Sequence, residues 1–135
     1  MSIMIRTMAA TAVLALCACG DDDGGGGSEA IRRGVGAECN ADIPCEEEGQ
    51  DCLTRFDGGY CGIDGCAADV DCPAGSACVT EDDGVNYCFL VCLDKPECNV
   101  HRDPANESNC NSSLTFVDPV GADGRKVCRP PMSGV

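Results

Sequence analysis

The chain has 135 residues with 14 cysteines, three phenylalanines, two tyrosines and no tryptophan, and its net charge is −14. The acidic charge argues against nucleic acid as a partner, because phosphate backbones would repel the chain. So few large apolar residues predict only a small core, and domains of this kind need covalent crosslinks. The composition is therefore typical of a small, disulfide-rich, exported protein.

Residues 1–18 are predicted to be a signal peptide. Arg6 carries the only side-chain charge before an apolar run from Met8 to Ala18. That run is shorter than the ~20 residues that a bilayer-spanning helix requires. A glycine- and aspartate-rich tract follows directly, which disfavours a buried helix, because nothing in it could pack.

The end of this segment, Leu16-Cys17-Ala18-Cys19, resembles the lipobox of bacterial lipoproteins. In that family the chain is cleaved before a cysteine that is then acylated. The resemblance implies lipidation of Cys19 and a membrane anchor. The parity of the cysteines agrees, since cleavage before Cys19 leaves twelve further cysteines, an even number that can all pair. Cleavage before Cys17 would leave an odd thiol.

The segment 19–36 is predicted to be a flexible acidic tether, because its glycines and aspartates cannot bury enough surface to fold. A lipid anchor implies a location in the cell envelope, on the periplasmic or the outer face. Asp21 resembles an inner-membrane retention signal of some Gram-negative bacteria. That rule varies between groups, and we expect the outer membrane in preference to the inner membrane. The expected partners are the membrane, through Cys19, and an unidentified protein or glycan.

Beyond the tether, the chain is predicted to divide into three tandem units, 37–65, 66–91 and 92–135. Each unit contains four cysteines, and the first two are always six positions apart. Such a regular repeat indicates architecture. We expect little helix in any unit.

An Asp-Gly pair precedes the fourth cysteine of each unit, at Asp57-Gly58, Asp83-Gly84 and Asp123-Gly124. Asp-Gly between strand-prone residues predicts a type I′ turn, so each unit should be a loop followed by a short β-hairpin. In the third unit the hairpin is expected to pair residues 114–117 with Val127.

Four cysteines allow three pairings within a unit, and the sequence does not choose among them. A first-to-third and second-to-fourth pattern, with a hairpin after the third cysteine, resembles the front half of an epidermal-growth-factor-like module. The units are also similar to the Dickkopf amino-terminal cysteine-rich region and to cysteine-rich repeats of bacterial envelope lipoproteins. These families imply small binding or spacer modules. The implied pairs are Cys39–Cys52, Cys45–Cys61, Cys66–Cys78, Cys72–Cys88, Cys92–Cys110 and Cys98–Cys128.

The few apolar residues are spread thinly along the three units. No unit contains enough of them to anchor the others. We therefore expect each unit to be stabilised by its own disulfides, with no common core, as in an array in which only neighbours touch.

The sequence predicts no catalytic residues, no metal site and no cofactor. It contains no Cys-x2-Cys motif, and His101, its only histidine, is expected to lie in an exposed loop. Asp69-Val70-Asp71 resembles the start of a calcium-binding growth-factor module, but short acidic residues also favour turns.

Two functions are compatible with this sequence. The first is a non-catalytic binding or structural role, with the long loops 99–109 and 111–127 as the candidate binding region. The alternative is inhibition of a secreted hydrolase, in which Arg55-Phe56 would enter a protease pocket. The sequons at Asn106 and Asn111 are interpreted as coincidences of a loop rich in Asn and Ser.

Overall fold

The structure is a computed structural model that describes residues 28–119 and 124–134. The predicted signal peptide, Cys19 and the first part of the tether lie outside the described residues. The elements are α1 (Glu29–Arg32), β1 (Asp51–Cys52), β2 (Cys61–Gly62), β3 (Ser76–Thr80), β4 (Asn86–Cys92), β5 (Asn109–Asn111), β6 (Thr115–Phe116) and β7 (Lys126–Arg129). Short 3-10 helices span Asp69–Asp71, Pro96–Asn99 and Pro104–Asn106.

Six disulfides connect the twelve cysteines of the described chain. They are Cys39–Cys52, Cys45–Cys61, Cys66–Cys78, Cys72–Cys88, Cys92–Cys110 and Cys98–Cys128. These are the same pairs that the growth-factor-like pattern implies. The protein is a small disulfide-rich fold with mostly β-strands and almost no helix, as the sequence predicts.

The third and fourth cysteines of each group of four are direct partners on paired antiparallel strands. Their registers are Cys52↔Cys61, Cys78↔Cys88 and Cys110↔Cys128. Each of these cysteines is also bonded to one of the first two cysteines of its own group. The arrangement therefore ties every strand pair to an earlier part of its own group, which matters because an isolated pair of strands is barely stable in water.

The hairpin predicted for the third unit is wrong. β6 pairs with β3, whereas Val127 on β7 pairs with Asn111 on β5 and with Val91 on β4. The result is a five-stranded sheet in the order β5-β7-β4-β3-β6, next to a separate β1–β2 pair. The long strand β4 continues through Cys92, and β7 pairs with the end of β4 at Val91 and Cys92. β6 pairs instead with the edge of β3 that faces away from β4. Only residues 112–114 connect β5 to β6.

The turn between β3 and β4 also differs from the predicted type I′ turn, which requires positive φ at both central residues. Every residue with positive φ in the described part is a glycine, so Asp83 does not adopt that conformation. Gly84, at φ 77°, donates its N–H to Glu81 O over 2.9 Å, and Glu81 N donates to Val85 O over 3.0 Å. This is a three-residue hairpin loop that ends in a glycine bulge.

The expectation that the units have no common core is wrong. One continuous cluster of buried residues includes Leu53 from the first group, Ala77 and Val79 from the second, and Val127 and Cys128 from the third. Buried apolar residues of all three groups meet in this cluster. They therefore form a shared core despite their low number.

Four aromatic residues form the centre of this core. Phe56, Tyr60 and Phe89 are fully buried, and Tyr87 is nearly so. Their rings lie 5.2 to 6.1 Å apart, mostly edge to face. Such pairs contribute ~0.5–1.5 kcal/mol each beyond their buried area. Because two of the rings come from the first group and two from the second, this cluster fastens the two groups together.

The predicted tether is also too long at its C-terminal end. Ser28 caps the single turn of α1 by accepting a hydrogen bond from Ile31 N, and Ala30 N donates to Ala74 O over 2.8 Å. Ala30 is fully buried and Val35 is 2% exposed. The apolar residues of 30–35 show no helical periodicity in the sequence. In the structure, Ala30 and Val35 nevertheless belong to the buried core cluster. Residues 28–36 therefore belong to the packed fold and not to a flexible tether.

Candidate functional site

A cleft of about 410 Å³ lies where three segments meet: the N-terminal segment around α1, the loop that precedes β1, and the turn at His101. We call it the junction cleft. Its floor consists of small groups, namely Gly34, Ala37 and the Cys45–Cys61 disulfide. The volume falls within the range of pockets that hold small ligands or a few residues of a partner.

The walls of the junction cleft carry both charges. The lining includes Arg32 and Arg33, Glu46 and Glu47, and His101. Arg33 makes two long ion pairs, at 3.7 Å to Glu29 and 3.8 Å to Glu47. Among the described residues, Arg32 makes no ion pair, and its side chain is exposed. Arg32 is therefore a cation that can meet an acidic group of a partner.

Ile43 is held outward at the mouth of the cleft. The Asn40 side-chain carbonyl accepts hydrogen bonds from Asp42 N (2.8 Å) and Ile43 N (3.0 Å), which closes a tight turn. Ile43 is 55% exposed although it is a large apolar residue. The turn thus presents an apolar contact next to the charged walls.

Arg102 ties the N-terminal segment to the turn between β1 and β2. Its guanidinium donates hydrogen bonds to the carbonyls of Gly36 (3.0 Å), Asp57 (2.6 Å), Gly59 (2.8 Å) and Asn106 (2.7 Å). The residue is only 8% exposed. Burial lowers the pKa of Arg102 from its usual value, because removal from water penalises the charged form. Four carbonyl dipoles compensate for that cost, so this side chain acts as a structural clamp beneath the cleft.

Glu38 ties the third cysteine group to the N-terminal segment. Its carboxylate accepts hydrogen bonds from Asp103 N (2.9 Å) and from the Asn106 side-chain amide (2.7 Å), and Glu38 N donates to His101 O over 3.1 Å. The amide of the first sequon is thereby engaged, and its Ser108 is fully buried. Much of the predicted binding loop 99–109 therefore has a structural role, and only its His101 end reaches the cleft.

His101 is exposed, as the sequence predicts. Within the ranges 28–119 and 124–134, its imidazole has no hydrogen bond and no ion pair. A catalytic triad requires a base that is held in position by a carboxylate, and His101 has no such orienting partner there.

The acidic residues around Val70 are engaged by the protein itself. Asp69 accepts a hydrogen bond from Cys78 N at 2.8 Å and pairs with Arg125 at 2.6 Å. Asp71 accepts from the backbone N–H groups of Ala67 and Ala68. These carboxylates therefore serve the turn, which is the alternative that the sequence offered to a calcium site.

The pair Arg55-Phe56 is not available for a protease pocket, and this part of the inhibitor hypothesis is wrong. Phe56 is fully buried in the aromatic cluster. The Arg55 guanidinium lies 5.5 Å from the Tyr87 ring centroid, donates to the Tyr87 hydroxyl over 2.7 Å and pairs with Asp83. Both side chains are used to close the core.

Sequence reasoning missed the residues of the junction cleft other than His101 and the two cysteines. Arg32 and Arg33 lie in the segment 19–36, which the sequence predicts to be a tether. Ile43 lies in the loop between Cys39 and Cys45, where the sequence shows no functional motif. Two adjacent arginines in an otherwise acidic segment were the available signal. The cleft itself depends on contacts between segments far apart in sequence, which no local pattern reports.

No protein-family model, curated protein or solved structure matches this chain. Within the described residues, no helix has the length and apolarity needed to span a membrane.

Proposed function

We propose that this chain is a lipid-anchored, non-catalytic binding protein of the cell envelope that holds a protein or glycan partner at the junction cleft. The observation that carries the proposal is the cleft itself. It combines Arg32, which makes no ion pair within the described ranges, with an outward-held Ile43, and both belong to segments that are fixed by disulfides and by Arg102. A rigid surface of this kind binds without losing much conformational entropy.

The lipobox-like tract and the cysteine parity support an anchor on Cys19, with the outer membrane as the expected location. The Cys19→Ala variant should accumulate as unlipidated protein when it is expressed in a bacterial host that processes lipoproteins. Cys17→Ala is the matched control and should still be processed. Incorporation of labelled fatty acid into the Cys19→Ala protein would contradict the assignment.

Binding at the junction cleft is tested with a photo-crosslinking residue at position 43 in native envelopes. We expect one discrete adduct from this position. A crosslinker at Val85, which is 38% exposed in the turn between β3 and β4, is the control and should not give it.

Charge reversal at Arg32 makes the crosslinking test specific. The exposed Arg32→Glu change should abolish the adduct at position 43 while leaving the fold and its six disulfides intact. An adduct that persists in the Arg32→Glu protein, or that forms equally from position 85, would exclude the junction cleft as the binding site.

A further inference from the structure

A second depression, shallower than the junction cleft, lies beside the start of the described chain. Its volume is about 580 Å³, and its walls include Ile63, Val70, Pro73 and Glu29. Val70 is 89% exposed, more than any other large apolar side chain in the described part. We call this depression the Val70 groove. Val70 therefore presents an exposed apolar side chain at this depression.

The described part of the chain begins at this groove. Ser28 packs against Gly75 so closely that a Cβ at residue 75 would lie 2.3 Å from the Ser28 Cβ. Ala30 N donates to Ala74 O, and Ala74 lines the groove together with Glu29. The eight residues between Cys19 and Ser28 make nine Cα–Cα steps, which span at most ~32 Å. A lipid on Cys19 would therefore keep this side of the protein close to the bilayer.

The charge around the Val70 groove is locally compensated. Glu29 lies 3.7 Å from Arg33, and Asp69 pairs with Arg125 at 2.6 Å. The Asp71 carboxylate accepts hydrogen bonds from two backbone N–H groups. Repulsion from an anionic lipid surface is thus weaker here than the net charge of −14 suggests. The position, the exposed valine and the compensated charge all favour contact with lipid.

We propose that the Val70 groove is the membrane-facing surface of the protein. Val70 and the partly exposed Ile63 rest on the headgroup region of the phospholipid bilayer that holds the anchor. This orientation rests on the lipid anchor of the proposed function. A tether alone would leave the folded part free to rotate relative to the bilayer, whereas contact through the Val70 groove would give it one orientation.

The absence of tryptophan from the sequence permits a direct test. Val70→Trp and the control Val85→Trp each introduce a single fluorophore at an exposed valine. The proteins are extracted from membranes and reconstituted into phosphatidylethanolamine and phosphatidylglycerol vesicles that contain brominated phospholipids. Quenching should be about twofold or more stronger for Val70→Trp than for Val85→Trp, because only an interfacial side chain approaches the bromines. Equal quenching at the two positions would overturn the proposal.

A second measurement on the unmodified chain does not depend on how the variants fold. Amide hydrogen exchange in residues 69–75 should slow when the anchored protein is bound to vesicles, while residues 82–85 should be unchanged. Unchanged exchange in both segments would also overturn the proposal.

A chemically anchored form separates this proposal from the lipid anchor. The chain that begins at Cys19 is coupled through the Cys19 thiol to a maleimide phospholipid and is measured in the same vesicles. If the protein exported by the cell carries no lipid, the natural anchor is refuted. Strong quenching at position 70 in the coupled form would then still support the membrane-facing surface. Equal quenching at positions 70 and 85 in the coupled form would refute the surface whether or not Cys19 is naturally lipidated.

Discussion

The backbone at Gly59 passes so close to Cys39 that no side chain fits there. Gly59 has φ 71°, and a Cβ at this position would lie 2.1 Å from Cys39 O and 2.8 Å from Cys39 Sγ. Gly59 O also accepts a hydrogen bond from Arg102. This one residue therefore connects the first disulfide to the clamp beneath the junction cleft.

We expect Gly59→Ala to lower the free energy of unfolding by about 3 kcal/mol or more, because it combines strained φ with a backbone clash. Gly49→Ala is a matched control, since Gly49 has φ 83° but nothing within 4 Å of an added Cβ. It should cost only about 1 to 2 kcal/mol. Chemical denaturation with the disulfides intact measures both values. Equal losses would show that the close approach to Cys39 has no energetic consequence.

Tyr60 links the stability of the fold to alkaline pH. Its ring is fully buried, and its hydroxyl oxygen accepts a hydrogen bond from Leu90 N over 3.0 Å. Burial raises the pKa of Tyr60 well above its usual value, which is near 10. The unfolded chain then releases this proton before the folded chain does. The stability from Tyr60 is complete below about pH 10 and is lost as the pH rises from there toward the folded-state pKa.

Tyr60→Phe should therefore flatten the alkaline fall in stability. We expect a loss of about 1 kcal/mol at neutral pH, because the Leu90 N–H loses its acceptor. Above pH 10 the slope should decrease by up to ~1.4 kcal/mol per pH unit. Tyr87, whose pKa burial also raises, would account for the remaining slope. Urea denaturation across the alkaline range measures this, and an unchanged slope would contradict the assignment to Tyr60.

At the scale of elements, β6 shows how a two-residue strand is held at a sheet edge. Phe116 on β6 is half-buried opposite Val79, and the Arg125 guanidinium lies 4.4 Å from its ring centroid. Arg125 also donates to Asp69 and to Asp118 O. The ring therefore packs against an ion pair that connects the long insertion to the second cysteine group.

Phe116→Ala should lower the free energy of unfolding by about 2 kcal/mol, because it removes both the packing against β3 and the cation–π contact. The exposed neighbour Thr115→Ala is the control and should cost less than about 1 kcal/mol. Thermal unfolding of the two variants makes the comparison. Similar losses from both would mean that β6 is held by its backbone alone.

The sequence predicts those elements that depend on local chemistry. The cysteine spacing and the Asp-Gly pairs indicate paired strands at the third and fourth cysteines, and these strands are present. The partner of β6 could not be predicted, because β3 and Leu114–Val117 are distant in sequence and the pairing depends on the edge that β4 offers to β7. The sequence does not predict α1 for a similar reason. The burial of Ala30 and Val35 depends on contacts with residues that are distant in sequence. The junction cleft depends on the same long-range contacts.

At the scale of the whole molecule, the shared core makes the three cysteine groups one cooperative body. The aromatic cluster joins the first two groups, the five-stranded sheet joins the second and third, and Arg102 joins the third to the first. Each group thus contacts both of the others.

The paired change Cys45→Ser and Cys61→Ser tests this cooperativity. Loss of the disulfide should lower the free energy of unfolding by about 3 kcal/mol, because the unfolded chain is no longer closed into a loop and gains conformational entropy. Amide exchange should accelerate in all three groups, including Phe89 on β4 and Cys128 on β7, because they unfold together. Accelerated exchange confined to residues 37–65 would instead show three independent units.

The short connection between β5 and β6 affects whether the sheet can pair edge to edge with a strand from another molecule. The two strands occupy opposite borders of the sheet, which in a flat sheet would lie ~19 Å apart. The chain from Asn111 to Thr115 reaches at most ~15 Å. The sheet must therefore curl so that these two borders lie closer together than in a flat sheet. A curled edge is a poor template for a strand from another molecule, so copies of this protein could lie close together without their sheets joining.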